Sequence, residues 1–213
     1  MIRVEMRGLY AITPEDLMGS QLLKAVEEAL EGGCKILQYR NKTSDVARRR
    51  QDAGALARLC RRHGARFIVN DDPELAAAVG ADGVHLGRDD GSLSEARARL
   101  GRDAIIGISC YDDWKRAMAA VQQGADYVAF GAFYPSPTKP NAIRADLQLL
   151  ERARRELALP VVAIGGITPE NAQPLIDAGA DMVAVIQGLF GRSDIRATAH
   201  RLSALFEESR GRS

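Results

Sequence analysis

The sequence predicts a closed (β/α)8 barrel, and three observations carry that prediction. Short apolar runs alternate with helix-like stretches along the whole 213-residue chain, and strict alternation implies a parallel sheet. One kind of joint recurs: EGGCKILQY from residue 31, VGADGVHLG from 79, QGADYVAFG from 123 and AGADMVAVI from 178. In each, a helical stretch ends at a glycine suited to a left-handed C′ position, and an apolar run follows shortly after. The first apolar run leads into TPED, with no GxGxxG, which argues against an open nucleotide-binding sheet.

The elements follow in order. A first strand is predicted over Leu9–Ile12, and a helix over Leu22–Leu30. The strand at Ile36–Tyr39 precedes a helix over Ala47–Arg62. The strands at Phe67–Val69 and Val84–Leu86 flank a helix that starts at Pro73. A strand at Ile105–Ile108 leads to a helix over Trp114–Gln123, and one at Tyr127–Phe130 to a helix over Leu147–Leu157. The last two strands, Val161–Ile164 and Met182–Ile186, enclose a helix over Pro169–Ala178. Eight such units, with no linker rich in Pro, Gly or Ser, predict one barrel over residues 1–213.

Composition narrows the function classes. Hydrophobic residues make up 46% of the chain, ample for a packed core, and no run of about 18 apolar residues suggests a membrane span. The start, MIRVEMRGLY, lacks the apolar stretch of an export signal. Cys34, Cys60 and Cys110 lie far apart, with no CxxC pair and no histidine at zinc-ligand spacing. A reducing, cytoplasmic setting is expected. With 29 basic and 28 acidic residues the net charge is +1, so no global field draws the chain to nucleic acid or to an anionic membrane. Arg48-Arg49-Arg50 and Arg61-Arg62-His63 fall in helical patterns and read as solvated faces. A homo-oligomer is compatible with the sequence.

A barrel places its active site at the C-terminal ends of the strands. After the second strand comes Gln38-Tyr39-Arg40-Asn41-Lys42, where side-chain alternation turns Gln38 and Arg40 the same way. The third strand ends Asn70-Asp71-Asp72-Pro73 and the fourth runs from His85 to Asp90. Carboxylates from these neighbouring ends can converge, and hard oxygen ligands suit Mg²⁺. Asp71 and Asp72 both also fit the N-cap of the helix at Pro73, whereas Asp90 has less local reason to be acidic. His85, inside an apolar run, reads as a core histidine. The fifth strand ends at Ser109. The sixth leads into FGAFYPSPTKP, where Ser136, Thr138 and Lys139 add two hydroxyls and a cation to a proline turn. Glycines after the seventh strand (Gly165, Gly166) and the eighth (Gly188) let backbone amides approach an anion, a common phosphate site in barrels.

Together these motifs resemble the thiamine phosphate synthase family: LYAIT, QYRNK for Q-x-R-x-K, FIVNDD, GADGVHLG followed by Asp90, IGIS, PSPTKP and VVAIGGIT. The likeness spans nearly the whole chain and keeps the motif order. It implies a small-molecule transferase of thiamine biosynthesis. The reaction would join 4-amino-2-methyl-5-pyrimidinylmethyl diphosphate to a thiazole phosphate and release diphosphate. Carried over by position, Gln38, Tyr39, Arg40, Asn41, Lys42, Asn70, Ser109 and Lys139 would contact the pyrimidine diphosphate, with Arg40, Lys42, Ser109 and Lys139 assisting the chemistry, and Tyr10 would be a further substrate contact. Asp71 and Asp90 would hold Mg²⁺. Ser136, Pro137, Thr138, Gly166, Ile186 and Gln187 would surround the thiazole phosphate.

Two positions depart from the family's common pattern: Ser136 stands in place of threonine, and Gln187 in place of serine. The related thiazole tautomerases carry a histidine one residue after the glycine that ends the sixth strand; here Ala132 follows Gly131. A non-catalytic thiazole phosphate-binding barrel would be expected to have lost metal or diphosphate contacts, and Asp71, Asp90, Arg40, Lys42 and Lys139 are all present.

Overall fold

A computed structural model describes residues 6–135 and 143–210. Eight parallel strands close in sequence order: β1 (Gly8–Ile12), β2 (Ile36–Tyr39), β3 (Arg66–Asn70), β4 (Gly83–Leu86), β5 (Ile105–Tyr111), β6 (Tyr127–Gly131), β7 (Val161–Ile164) and β8 (Met182–Val185). The connecting helices are α1 (Gly19–Glu31), α2 (Val46–Arg62), α3 (Pro73–Val79), α4 (Leu93–Leu100), α5 (Trp114–Gln122), α6 (Leu147–Glu156) and α7 (Gln173–Asp177). After β8 come α8 (Gln187–Phe190) and α9 (Ile195–Arg210). The fold is the (β/α)8 barrel that the alternating pattern predicts.

Strand alternation sorts the core into two layers. Leu9, Leu37, Phe67, Val84, Ile106, Val128, Val161 and Val183 face outward onto the helices. Tyr10, Ile36, Ile68, Ile105, Tyr127, Val162 and Met182 fill the barrel itself. Gly107 belongs to this inner set for a steric reason. A Cβ there would lie 1.9 Å from Cζ of Tyr127, so its absence makes room for the tyrosine ring.

The recurring helix-to-strand joint has a role beyond its glycine. Gly33, Gly80, Gly124 and Gly179 all take positive φ, as expected. In three of the four joints an aspartate comes two residues later, and its carboxylate accepts the N–H of the first or second residue of the preceding strand. These bonds are Phe67 N to Asp82 (2.8 Å), Ile106 N to Asp126 (2.8 Å) and Val161 N to Asp181 (2.9 Å). Each aspartate thus ties adjacent strands at the N-terminal end of the barrel, the face whose residues serve stability. Asp82→Ala would also remove the 2.8 Å ion pair with Arg66. It should lower unfolding free energy by about 1–3 kcal/mol and leave kcat unchanged. Denaturant melts beside turnover assays check this.

Two elements differ from expectation. β5 runs on to Tyr111, with a register irregularity against β6 between Ser109 and Tyr111. The helix expected over Pro169–Ala178 begins only at Gln173. Its predicted first turn is spent on a loop: Asn171 Oδ1 accepts from Thr168 N (2.8 Å) and Asn171 Nδ2 donates to the Gly166 carbonyl (3.0 Å). Such side-chain-to-backbone bonds compete with helix formation, and here they fix the glycine loop after β7.

Candidate active site

The C-terminal ends of the strands open on a cavity of about 440 Å³. A chain of buried hydrogen bonds runs along its base. Gln38 Nε2 donates to the Tyr10 hydroxyl (2.7 Å), which bonds the Tyr127 hydroxyl (2.7 Å). Tyr127 bonds His85 Nδ1 (2.9 Å), and His85 Nε2 bonds Ser109 Oγ (2.8 Å). Five strands each contribute one member. Burial pushes both phenols well above their ordinary range, so they are neutral donors and acceptors.

The wall toward β2, β3 and β4 is charged. Arg40 lines the cavity, and its guanidinium pairs with Glu15 at 2.5 Å. Lys42 Nζ stands 3.5 Å from Asp71. Asp71 has a φ of 62°, a left-handed conformation in which Asp and Asn are the best tolerated residues after glycine. It lies within hydrogen-bonding range of Asp90. Burial, and then the Asp90 carboxyl, raise Asp71 from an ordinary 3.8 to about 6. Asp90 is itself oriented by the Gly87 N–H (2.9 Å). Asp71 and Asp90, two carboxyls from the ends of neighbouring strands, form a donor set that fits a hard divalent cation completed by water and phosphate. The ambiguity between the adjacent aspartates resolves cleanly: Asp72 caps α3 by accepting from Leu75 N (2.8 Å) and pairs with Arg49 (2.8 Å).

A second cavity, of about 250 Å³, adjoins the first. Gly165, Gly166, Gln187, Gly188 and Arg192 contribute to its lining, and it shares Ile164, Gly165, Ala184 and Ile186 with the larger one. The loop after β6 is clasped to the loop after β7. Tyr134 N bonds the Gly165 carbonyl (3.0 Å), and the Tyr134 hydroxyl bonds the Asn171 carbonyl (2.8 Å). FGAFYP therefore runs against the glycine loop.

Comparison with known proteins gives the family. A protein-family model described as thiamine monophosphate synthase matches residues 9–189. The chain belongs to the thiamine monophosphate synthase family. It is 58% identical to a thiamine-phosphate synthase of Thioalkalivibrio sulfidiphilus, with 95% of this chain and 96% of that one covered. It is also 58% identical to one of Thiobacillus denitrificans, with 93% and 94% covered. Among solved structures, the thiamine phosphate pyrophosphorylase of Pyrococcus furiosus superposes with a TM-score of 0.87 at 34% identity, covering 98% of each chain.

The barrel brings Tyr10, Gln38, Arg40, Asn70 and Ser109 to the larger cavity and Gly166 and Gln187 to the smaller, while Ile186 borders both. Lys42, Asp71 and Asp90 gather beside the larger one. Tyr39 lines neither cavity. Its ring faces outward, buried in the layer between strands and helices, because it sits at the opposite parity to Gln38 and Arg40. The Asn41 side chain is taken up locally, accepting from Thr43 N at 2.8 Å. Ser136, Pro137, Thr138 and Lys139 lie outside the described residues. Sequence reasoning passed over Tyr127 and Arg192, and it assigned His85 to the core. His85 and Tyr127 were findable: counting in twos back from Gly87 and Gly131 marks them as inward positions, and a polar group at an inward position can reach the site.

Proposed function

We propose that the protein joins 4-amino-2-methyl-5-pyrimidinylmethyl diphosphate to a thiazole ethyl phosphate, yielding thiamine phosphate and diphosphate with the aid of Mg²⁺. The observation that carries this reading is the pair of adjoining cavities with a shared wall. One is bordered by cations and a carboxylate pair, and the other by glycine loops suited to a phosphate ester. Such a pair suits two phosphorylated substrates whose reacting atoms meet between them.

In the reaction the C–O bond of the pyrimidinylmethyl carbon breaks with its electrons leaving on diphosphate. The thiazole nitrogen then forms the new C–N bond with its lone pair. The aminopyrimidine ring can stabilise the intervening cation, so a dissociative course needs no protein nucleophile, and no triad is evident among the described residues of the cavity. Mg²⁺ bound by Asp71 and Asp90 would supply charge neutralisation for the leaving diphosphate. Arg40 and Lys42 would add fixed positive charge to the same oxygens, and Ser109 a hydroxyl. The glycine loops would hold the thiazole phosphate so that its nitrogen faces the reacting carbon. Incubating the purified protein with both substrates and Mg²⁺ tests the proposal. Thiamine phosphate and diphosphate should appear in equal amounts, and failure to form them under any metal condition would refute it.

Arg192 should serve the thiazole phosphate. It lines the smaller cavity and pairs with Glu170 at 3.0 Å, while Arg201 holds the other Glu170 oxygen at 3.2 Å. Arg192 can therefore turn to a phosphate without leaving Glu170 unpaired. Arg192→Ala should raise the KM for the thiazole phosphate about tenfold, the worth of one partly solvated charge-assisted contact. The KM for the pyrimidine diphosphate should hold steady; steady-state kinetics with each substrate varied in turn measures both.

A further inference from the structure

We propose that His85 and Tyr127 are positioning residues that fix the direction of the Ser109 hydroxyl, turning its hydrogen toward the diphosphate-bearing substrate; the inference rests on the synthase reading of the larger cavity. The direction follows from one end of the buried chain. Gln38 Nε2 can only donate, and it donates to the Tyr10 oxygen at 2.7 Å. The buried Tyr10 hydrogen needs an acceptor of its own, and the Tyr127 oxygen at 2.7 Å is its bonded neighbour among the described residues besides Gln38, so we assign that hydrogen to Tyr127. The Tyr127 hydrogen goes in turn to His85 Nδ1 at 2.9 Å. An accepting Nδ1 makes the neutral imidazole the Nε2–H tautomer. That N–H donates to Ser109 Oγ at 2.8 Å.

Ser109 has a single hydroxyl hydrogen. With its oxygen engaged as an acceptor from His85, that hydrogen is free to point into the cavity, which Ser109 lines. An anion needs donors, and a hydroxyl free to rotate would present a lone pair as readily as a hydrogen. Orienting it in advance removes that reorganisation from the reaction. The packing keeps the chain in register. The His85 and Tyr127 rings stack with centroids 5.5 Å apart at 21°, in the space left by Gly107. Tyr10 meets Tyr127 edge-on at 74°. The phenols do not ionise at neutral pH, because burial raises both, so the device adds direction without adding charge.

The test has a spectroscopic arm and a kinetic one. Nitrogen NMR of the substrate-free protein should find His85 as the Nε2–H tautomer. Tyr127→Phe should lower kcat about tenfold in the otherwise wild-type protein but less than about twofold in a Ser109→Ala background, since a residue acting only through Ser109 has nothing left to direct. Tyr10→Phe, one bond further away, should show the same pattern with a loss of about threefold, and it serves if Tyr127→Phe does not fold. An Nδ1–H tautomer, or equal losses in both backgrounds, overturns the proposal. Should the wild-type protein make no thiamine phosphate, the synthase reading fails, and the tautomer alone decides the hydrogen-bond direction.

Discussion

Replacing Asp71 by Asn should lower turnover by about a hundredfold or more while leaving the metal-free protein folded and no less heat-stable at pH 7. The two halves of this result have separate causes. Activity falls because a charged oxygen ligand is lost from a site that would hold Mg²⁺ against the leaving diphosphate. Stability holds because Asn accepts the left-handed φ of 62° as readily as Asp does. It also removes a carboxyl that folding places at a disadvantage. In the folded protein Asp71 titrates at about 6, above its ordinary 3.8. A raised carboxyl contributes stability in full below the lower value, and that contribution is lost as pH rises through the upper one. The metal-free wild type should therefore lose stability between about pH 4 and pH 6 in a way the variant does not. Mg²⁺ and the proton compete at Asp71, so apparent Mg²⁺ affinity should weaken as pH falls below about 6. Asp72→Ala supplies the contrast: it spares turnover but lowers the melting temperature, because Asp72 caps α3 and pairs with Arg49. Near-normal turnover by folded Asp71→Asn protein at limiting Mg²⁺ would remove Asp71 from the metal site.

The barrel was legible because its signal is repeated. Four glycine joints and eight apolar runs each carry little weight alone, but in alternation they admit few folds. The charged part of the site was legible for the same reason: once strand ends are known, Arg40, Asp71, Asp90 and Ser109 must share one face. What escaped was whatever depends on side-chain direction. Tyr39 lies between two cavity residues in sequence and faces the helices in space. Tyr127 looks like any buried aromatic until its hydroxyl is seen to meet Tyr10 and His85. The aspartates of the GAD joints drew no reading from the sequence, yet their carboxylates hold the N–H groups of neighbouring strands. Asn171 shows the limit of periodicity, since the apolar pattern over Pro169–Ala178 suits a helix and one amide side chain diverts its first turn.

Gly166→Ala should raise the KM for the thiazole phosphate by about tenfold or more, whereas Gln187→Ser should change it by about threefold or less, under about 1 kcal/mol. The reason for the first effect is steric, and it lies in the loop as well as at the anion. Gly166 has a φ of 63°, and a Cβ there would come within 2.3 Å of the Pro135 carbonyl oxygen and 2.8 Å of the Tyr134 carbonyl carbon. These are backbone atoms that cannot swing aside, so the substitution must displace one loop or the other. The loops after β6 and β7 are tied through Tyr134, Gly165 and Asn171, so movement at Gly166 would be passed to the segment that leads into Ser136. Gln187 stands differently. It is an exposed residue at the start of the short helix α8, where a phosphate would be held by backbone N–H groups whose path a serine leaves unchanged. The KM for the pyrimidine diphosphate should stay within about threefold in both variants, because Gly166 and Gln187 line only the smaller cavity. A large loss in Gln187→Ser beside a silent Gly166→Ala would reverse the assignment: the amide side chain, rather than the loop backbone, would then hold the phosphate where the family commonly has a serine.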